Sequence, residues 1–269
     1  MDAGLHCAIR DGIATLTLRN PAKRNAMTPA MWREFPELLA GLRADPAVRA
    51  LVLTGHGGTF SAGADIGSLR DAEAPRDLAT RAEEALAAFP RPTLAAVRGA
   101  CVGGGCQLAV ACDLRFAERG AVFGVTPARL GLVYPPGATR RLVRLVGPSA
   151  AKYLLFSAEL IGTERALRTG LVDEVLPTGG LDGRVAEFTA VLRSRSALTQ
   201  QAAKEFADAA GEDPGEDAGE DAGERPAAAR LAWWRGQEEA AGEAGEGITA
   251  FLERRAPRFP WSPSAGPAA

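Results

Sequence analysis

Two runs of small residues set the tightest condition on how this chain can fold: Phe60-Ser-Ala-Gly-Ala-Asp-Ile66 and, further along, Gly103-Gly-Gly-Cys-Gln-Leu108. Each places glycine and alanine at a turn that runs into a helix, where backbone N–H groups lacking an intrahelical partner can face a ligand. Side chains must be small there because the backbone itself has to reach the ligand. Brought to one point, two such donors make an oxyanion hole, a cradle for negative charge on an oxygen. Either run alone is only a turn.

The rest of the chain alternates strands and helices, which argues for an α/β fold. Alternating apolar residues flank Asp11-Gly12, so Cys7–Arg10 and Ile13–Leu18 read as a hairpin. Thr28 reads as the N-cap, and Pro29 as the first residue, of a helix reaching about Arg43. Strands are expected at 50–54, 93–97 and 114–117, and helices at 78–89 and 104–112. Beyond Gly147 the pattern predicts helices at 148–156, at 163–168 with Thr163 as N-cap, at 184–193, 197–210 and 225–241, with a short strand or extended link at 171–176. We divide the chain into an α/β core, 1–196, and a helical region, 197–269. The acidic, Gly-rich insert 211–224 buries too little apolar area to offset ordering and reads as a mobile loop without calcium-loop spacing.

Composition narrows the class. Hydrophobic residues make up 46% of the 269, yet no apolar run reaches the roughly 18 residues of a membrane span. No signal peptide is apparent at Met1-Asp-Ala-Gly-Leu-His-Cys7, so a cytoplasmic location is expected. A formal net charge of −2 gives no reason to expect nucleic acid or an anionic membrane as partner. Cys101, Cys106 and Cys112 lie in or beside one apolar helix and read as buried reduced thiols. The only histidines are His6 and His56, so no metal site is expected. His56 reads as an exposed turn residue, and Ser61 has no evident triad partners. Trp233 and Trp234 read as core or interface residues.

The two small-residue runs, with Asn20-Pro-Ala-Lys-Arg-Asn-Ala-Met27 upstream and Phe123-Gly-Val-Thr-Pro-Ala-Arg-Leu-Gly-Leu-Val-Tyr134 downstream, resemble the crotonase (enoyl-CoA hydratase/isomerase) superfamily from about Ile13 to Phe259. The resemblance implies a ClpP-like spiral of ββα units with C-terminal helices that build a homotrimer or dimer of trimers. It implies an acyl-CoA thioester substrate and no separate cofactor, since coenzyme A enters with the substrate. The backbone N–H groups of Ala64 and Gly104 would hold the thioester oxygen. Lys23, Arg24, Ala26, Ala62, Asp65 and Ile66 would stand on the coenzyme A side, with Asp65 fixing its loop. The stretch Ile248–Phe259 looks like the family's closing helix, which would bring Phe251 and Arg255 to coenzyme A.

Departures from the family decide which reaction is expected. The type hydratase adds water with two glutamates, and those positions here read Gln107 and Pro127. Neither supplies a useful proton equilibrium near neutrality. Thr126-Pro-Ala-Arg-Leu-Gly-Leu-Val-Tyr134 looks most like the methylmalonyl-CoA decarboxylase branch, where a tyrosine stands at this point. That branch carries a histidine where this chain has Ala64. The resemblance thus points to decarboxylation of a methylmalonyl- or 2-alkylmalonyl-CoA, with Tyr134 and Gln107 beside the hole. A divergent hydratase or isomerase using Tyr134, Gln107 or a non-motif acid such as Asp71 or Glu73, and a non-catalytic acyl-CoA-binding protein, are the alternatives.

Overall fold

The structure, a computed structural model, describes residues 3–70, 76–210 and 221–262. The chain divides into two compact units, Met1–Phe89 with Thr93–Phe188, and Pro90–Pro92 with Thr189–Ala269. The first ends inside a helix, whereas the sequence places the change at Ala197.

The first unit begins with strands β1 (Gly4–Arg10) and β2 (Ile13–Arg19), then helix α1 (Pro29–Ala44), strand β3 (Ala50–Gly55) and helix α2 (Arg76–Ala87). Next come β4 (Thr93–Val97), β5 (Ala100–Val102), α3 (Gly104–Ala111), β6 (Leu114–Glu118) and β7 (Val122–Gly124). It continues through α4 (Pro136–Ser157), β8 (Ile161–Gly162), α5 (Thr163–Arg168), β9 (Glu174–Leu176) and the start of α6 (Leu181–Ser194). One sheet runs β1-β2-β3-β4-β6-β9, parallel after the first antiparallel pair, and a smaller sheet runs β5-β7-β8.

Local chemistry explains the elements. Asp11 and Gly12 both adopt positive φ (50° and 77°), the conformation a two-residue hairpin turn needs. The Thr28 side chain accepts from Met31 N at 3.3 Å, capping α1 as expected. The strands of the larger sheet bury Leu16, Leu51, Leu53, Ala95 and Ala117, against which α1 and α2 set Trp32, Phe35, Ala82 and Leu86. Buried Arg115 donates to the carbonyls of Leu171, Ala109, Cys112 and Asp113 and pairs with Asp173, so one guanidinium ties β6 to the end of α3 and to the turn before β9. Cys101, Cys106 and Cys112 are buried free thiols, and Cys7 is exposed.

Several expectations need correction. The helix at 148–156 is the second half of α4, whose first half begins at Pro136 and which breaks at Gly147 (φ 78°, ψ 161°). Proline at a first helical position is preorganised rather than disruptive, so Pro135-Pro-Gly137 hid this start. The cap of α5 is Gly162, with Thr163 inside the helix. Residues 211–220 of the acidic insert lie outside the described residues, and 221–224 already belong to a helix.

The second unit contains the end of α6, then α7 (Ala197–Ala210), α8 (Asp221–Ala241) and α9 (Glu243–Leu252). Glu205 accepts from Arg230 and from Trp234 Nε1, tying α7 to α8, and Trp234 packs edge-on to Trp233 at 4.6 Å. The expected closing helix Ile248–Phe259 stops at Leu252. Arg254 turns left-handed (φ 55°), and Pro257 and Pro260 have no N–H with which to continue the ladder.

Candidate active site

The two small-residue runs meet. Ser61 N donates to Ala100 O (2.8 Å) and Val102 N to Ser61 O (3.0 Å), so the first run lies parallel to β5, which leads into α3. On its other side Met27 N donates to Gly63 O and Asp65 N to Met27 O, which seats Ala64 between the flanking bonds of its neighbours. A Cβ on Gly63 would lie 3.3 Å from Gly104 N, and one on Gly104 would lie 3.6 Å from Ala64 N. The two predicted donors are therefore neighbours. Neither N–H donates to a described residue, Gly104 because it opens α3 and has no residue a turn earlier to bond.

Small side chains are required by contact. A Cβ on Gly105 would lie 2.8 Å from Ser61 O, so α3 comes this close to the first run only with glycine there. Ser61, fully buried, donates through Oγ to Asn25 O (2.8 Å) and accepts from Gly63 N (3.1 Å), a structural role with no nucleophile chemistry. Asn25 stands beneath the loop in the left-handed region (φ 57°). Its Oδ1 accepts from Asn20 N, and its Nδ2 donates to His56 O and Thr59 O. Asn25→Ala removes these three bonds at about 1 kcal/mol each, so the unfolding free energy should fall by about 3 kcal/mol, read as a lower urea midpoint at unchanged m. An unshifted midpoint would refute this support.

A cavity of about 140 Å³ opens at the hole, lined by Trp32, Ala62, Ala64, Gly104, Gln107 and Tyr134 among others, with Ile66, Ala79, Leu130, Leu132 and Val133 as apolar wall. No carboxylate lines it among the described residues; Asp71 and Glu73 lie outside them. The Tyr134 hydroxyl has no hydrogen-bond partner among the described residues. Burial first, then the neighbouring Cys106 and Glu83, push its pKa well above the usual tyrosine range, so it stays protonated at neutral pH. Gln107 donates from Nε2 to Glu83 Oε2 at 2.7 Å.

The first-unit residues expected on the coenzyme A side lie on one loop system, with different roles. Ala62 and Ile66 line the cavity. Lys23 Nζ bonds Asp65 Oδ2 at 2.6 Å and Gly67 N bonds Asp65 Oδ1 at 3.2 Å, so Asp65 fixes its loop. The Lys23 bond, ahead of the Gly67 bond, holds the Asp65 carboxyl below its ordinary pKa. Arg24 is exposed and accepts Ala62 N through its carbonyl, and Ala26 is buried. His56 is exposed in its turn and does not line the cavity. In the second unit, Phe251 is 82% exposed. Arg255 is committed to Glu246 and Glu253, and its bonds, with Arg258 N, draw the Glu246 carboxyl down to about 2.

Glu83 escaped the sequence reading. It is 1% exposed and pairs with Arg141 Nη1 at 2.7 Å behind Gln107. Its signal was helical phase, since it shares a face of α2 with Ala79, Ala82 and Leu86, all facing inward.

Comparison with known proteins agrees with this geometry. The enoyl-CoA hydratase/isomerase family matches residues 8–261. Crotonyl-CoA hydratase of Syntrophomonas wolfei is 34% identical over 92% of this chain and 94% of its own length. The 2,3-dehydroadipyl-CoA hydratase of Escherichia coli is 34% identical with the same coverage. A solved enoyl-CoA hydratase/isomerase family member superposes with a TM-score of 0.87 at 36% identity, over 98% of this chain and 99% of that one. With its two N–H donors at one cavity and its mixed α/β fold, this chain belongs to the enoyl-CoA hydratase/isomerase family of the crotonase superfamily, an enzyme family acting on acyl-CoA thioesters.

Proposed function

We propose that the chain converts an acyl-CoA thioester through an enolate held at Ala64 N and Gly104 N, and that its reaction is decarboxylation of a methylmalonyl- or 2-alkylmalonyl-CoA. The observation carrying this reading is a hole and a protonated tyrosine in a cavity lined, among the described residues, by no carboxylate. Breaking the bond between the α-carbon and its carboxylate releases carbon dioxide and sends the electron pair to the thioester oxygen, where the two donors face it. No base is needed to start. The enolate then takes a proton at its α-carbon from the Tyr134 hydroxyl, which recovers one from water. A carboxylate in the cavity would repel the malonyl group.

A second reading, hydration of an enoyl-CoA, is favoured by the names of the relatives and by the amide oxygen of Gln107, which is open to hold a water. Incubation with methylmalonyl-CoA, ethylmalonyl-CoA and crotonyl-CoA, followed by mass spectrometry, separates the two. Loss of carbon dioxide from a malonyl ester without hydration of crotonyl-CoA is expected. Gain of water by crotonyl-CoA alone would replace the first reading with the second.

We carry the homotrimer as part of this proposal. Ile248, Phe251 and Leu252 are 63%, 82% and 74% exposed, at spacings that put them on one side of α9. An apolar face of this kind is suited to a second copy of the chain. Sedimentation should give a trimer or hexamer, and Phe251→Asp should shift it toward monomer. A monomeric wild type would end this part of the reading.

A further inference from the structure

Glu83 has no role in the reactions above, yet it is among the most deeply buried carboxylates described and has both oxygens occupied. Gln107 Nε2 bonds Oε2 and Arg141 Nη1 bonds Oε1, each at 2.7 Å. Burial raises the Glu83 pKa, and the bonds from Gln107 and Arg141 act against it. A guanidinium only donates, so the oxygen facing Arg141 has to accept, and the contact favours the ionised carboxylate, which only accepts. Gln107 therefore has to turn its NH₂ toward Glu83. Its amide oxygen accepts from no described residue, and the side chain lines the cavity, so that oxygen is what the cavity meets.

The position is informative. Gln107 lies three residues beyond Gly104 on α3, about 4.5 Å along the helix axis. A side chain one turn along from Gly104 is placed to meet the α- and β-carbons of an acyl chain whose thioester oxygen is held at Gly104 N, since both groups line the same cavity. We propose that Glu83 is a positioning residue that locks the Gln107 amide with its oxygen toward the cavity, so that the site holds a hydrogen-bond donor, a water or a hydroxyl, beside those carbons. The inference rests on the cavity being the acyl-CoA site. It applies to either reaction: the held water returns a proton to Tyr134 after the hydroxyl has protonated the enolate left by decarboxylation, or is the nucleophile of a hydration.

The test uses 3-hydroxybutyryl-CoA, whose hydroxyl stands in for the water, against butyryl-CoA, with dissociation constants read by calorimetry on the full chain. Wild type should bind the hydroxy ester about fivefold more tightly, the worth of one net hydrogen bond. Glu83→Gln lets the facing amide donate or accept, freeing Gln107 to flip, and should cut the preference to about twofold or less. The double variant Glu83→Gln with Gln107→Glu reverses the pair, since the new amide donates inward while a carboxylate oxygen faces the cavity. It should restore the preference, which a role for Glu83 confined to supporting Arg141 would not do. It also decides the matter if the single variant folds poorly. An undiminished preference in Glu83→Gln, or a double variant that fails to regain it, overturns the lock. Failure of wild type to bind either ester overturns the acyl-CoA reading, and the inference falls with it.

Discussion

Gly63→Ala should lower kcat/KM by about 10²–10³-fold, the effect of losing one oxyanion-hole donor. Gly63 sits at φ 101°, where an L side chain is strained, and its added Cβ would stand 2.8 Å from Val102 O and 3.3 Å from Gly104 N. An oxygen accepting from Gly104 N needs to lie about 2.9 Å from that nitrogen. Methyl and thioester oxygen therefore compete for the same space. The methyl adds cost before substrate arrives, so the melting temperature should also fall. Gly58→Ala is the control, because a Cβ there meets nothing within 4 Å and the residue lies in an exposed turn. Steady-state kinetics of both variants decide the matter. Activity of Gly63→Ala within threefold of wild type would mean that the reacting oxygen is not held at Gly104.

Tyr134→Phe should lower kcat by about 10²-fold, at the low end for loss of a general acid, with KM nearly unchanged. The hydroxyl has no hydrogen-bond partner among the described residues, so its removal leaves no orphaned group and neutral-pH stability should stay within about 0.5 kcal/mol. This separation of turnover from folding distinguishes a reacting hydroxyl from a structural one. A pH signature accompanies it. Burial raises the Tyr134 pKa in the folded state, so its contribution to stability is fully present below the unfolded value of about 10. Above that pH the unfolded chain releases a proton that the folded chain retains, and stability is lost. Denaturant titrations near pH 10.5 should show a smaller loss for the phenylalanine variant. Unchanged turnover in Tyr134→Phe would remove the tyrosine from the mechanism.

What the sequence disclosed was whatever local backbone chemistry decides. The Asp11-Gly12 turn, the Thr28 cap and the two small-residue runs are legible because glycine, proline and capping side chains act on their own neighbours. The start of α4 was illegible for the same reason: Pro135-Pro-Gly137 has the composition of a loop, and only burial of Ala138 and Leu142 in the core selects helix. Strands β5, β7 and β8 are too short for a period to show, and their partners lie far along the chain. The end of α9 was carried too far by resemblance, against the two prolines that follow it. Glu83 was missed because adjacent Glu83 and Glu84 look alike in sequence. A rotation of one residue about α2 sends the first to Gln107 and Arg141 and leaves the second on the outer side.

The parallel bridges Met27↔Ala64 and Ser61↔Cys101 have a kinetic consequence. Each joins segments dozens of residues apart, and together they fix both oxyanion donors, so neither donor is placed by its own local turn. Closing such long loops carries an entropic cost that local contacts do not share, and pairings of this range form slowly. A partly folded chain that already holds the β1–β2 hairpin and α1 would therefore present no hole. Regain of activity during refolding should coincide with the last phase of chain ordering, which makes catalysis a reporter of completed topology.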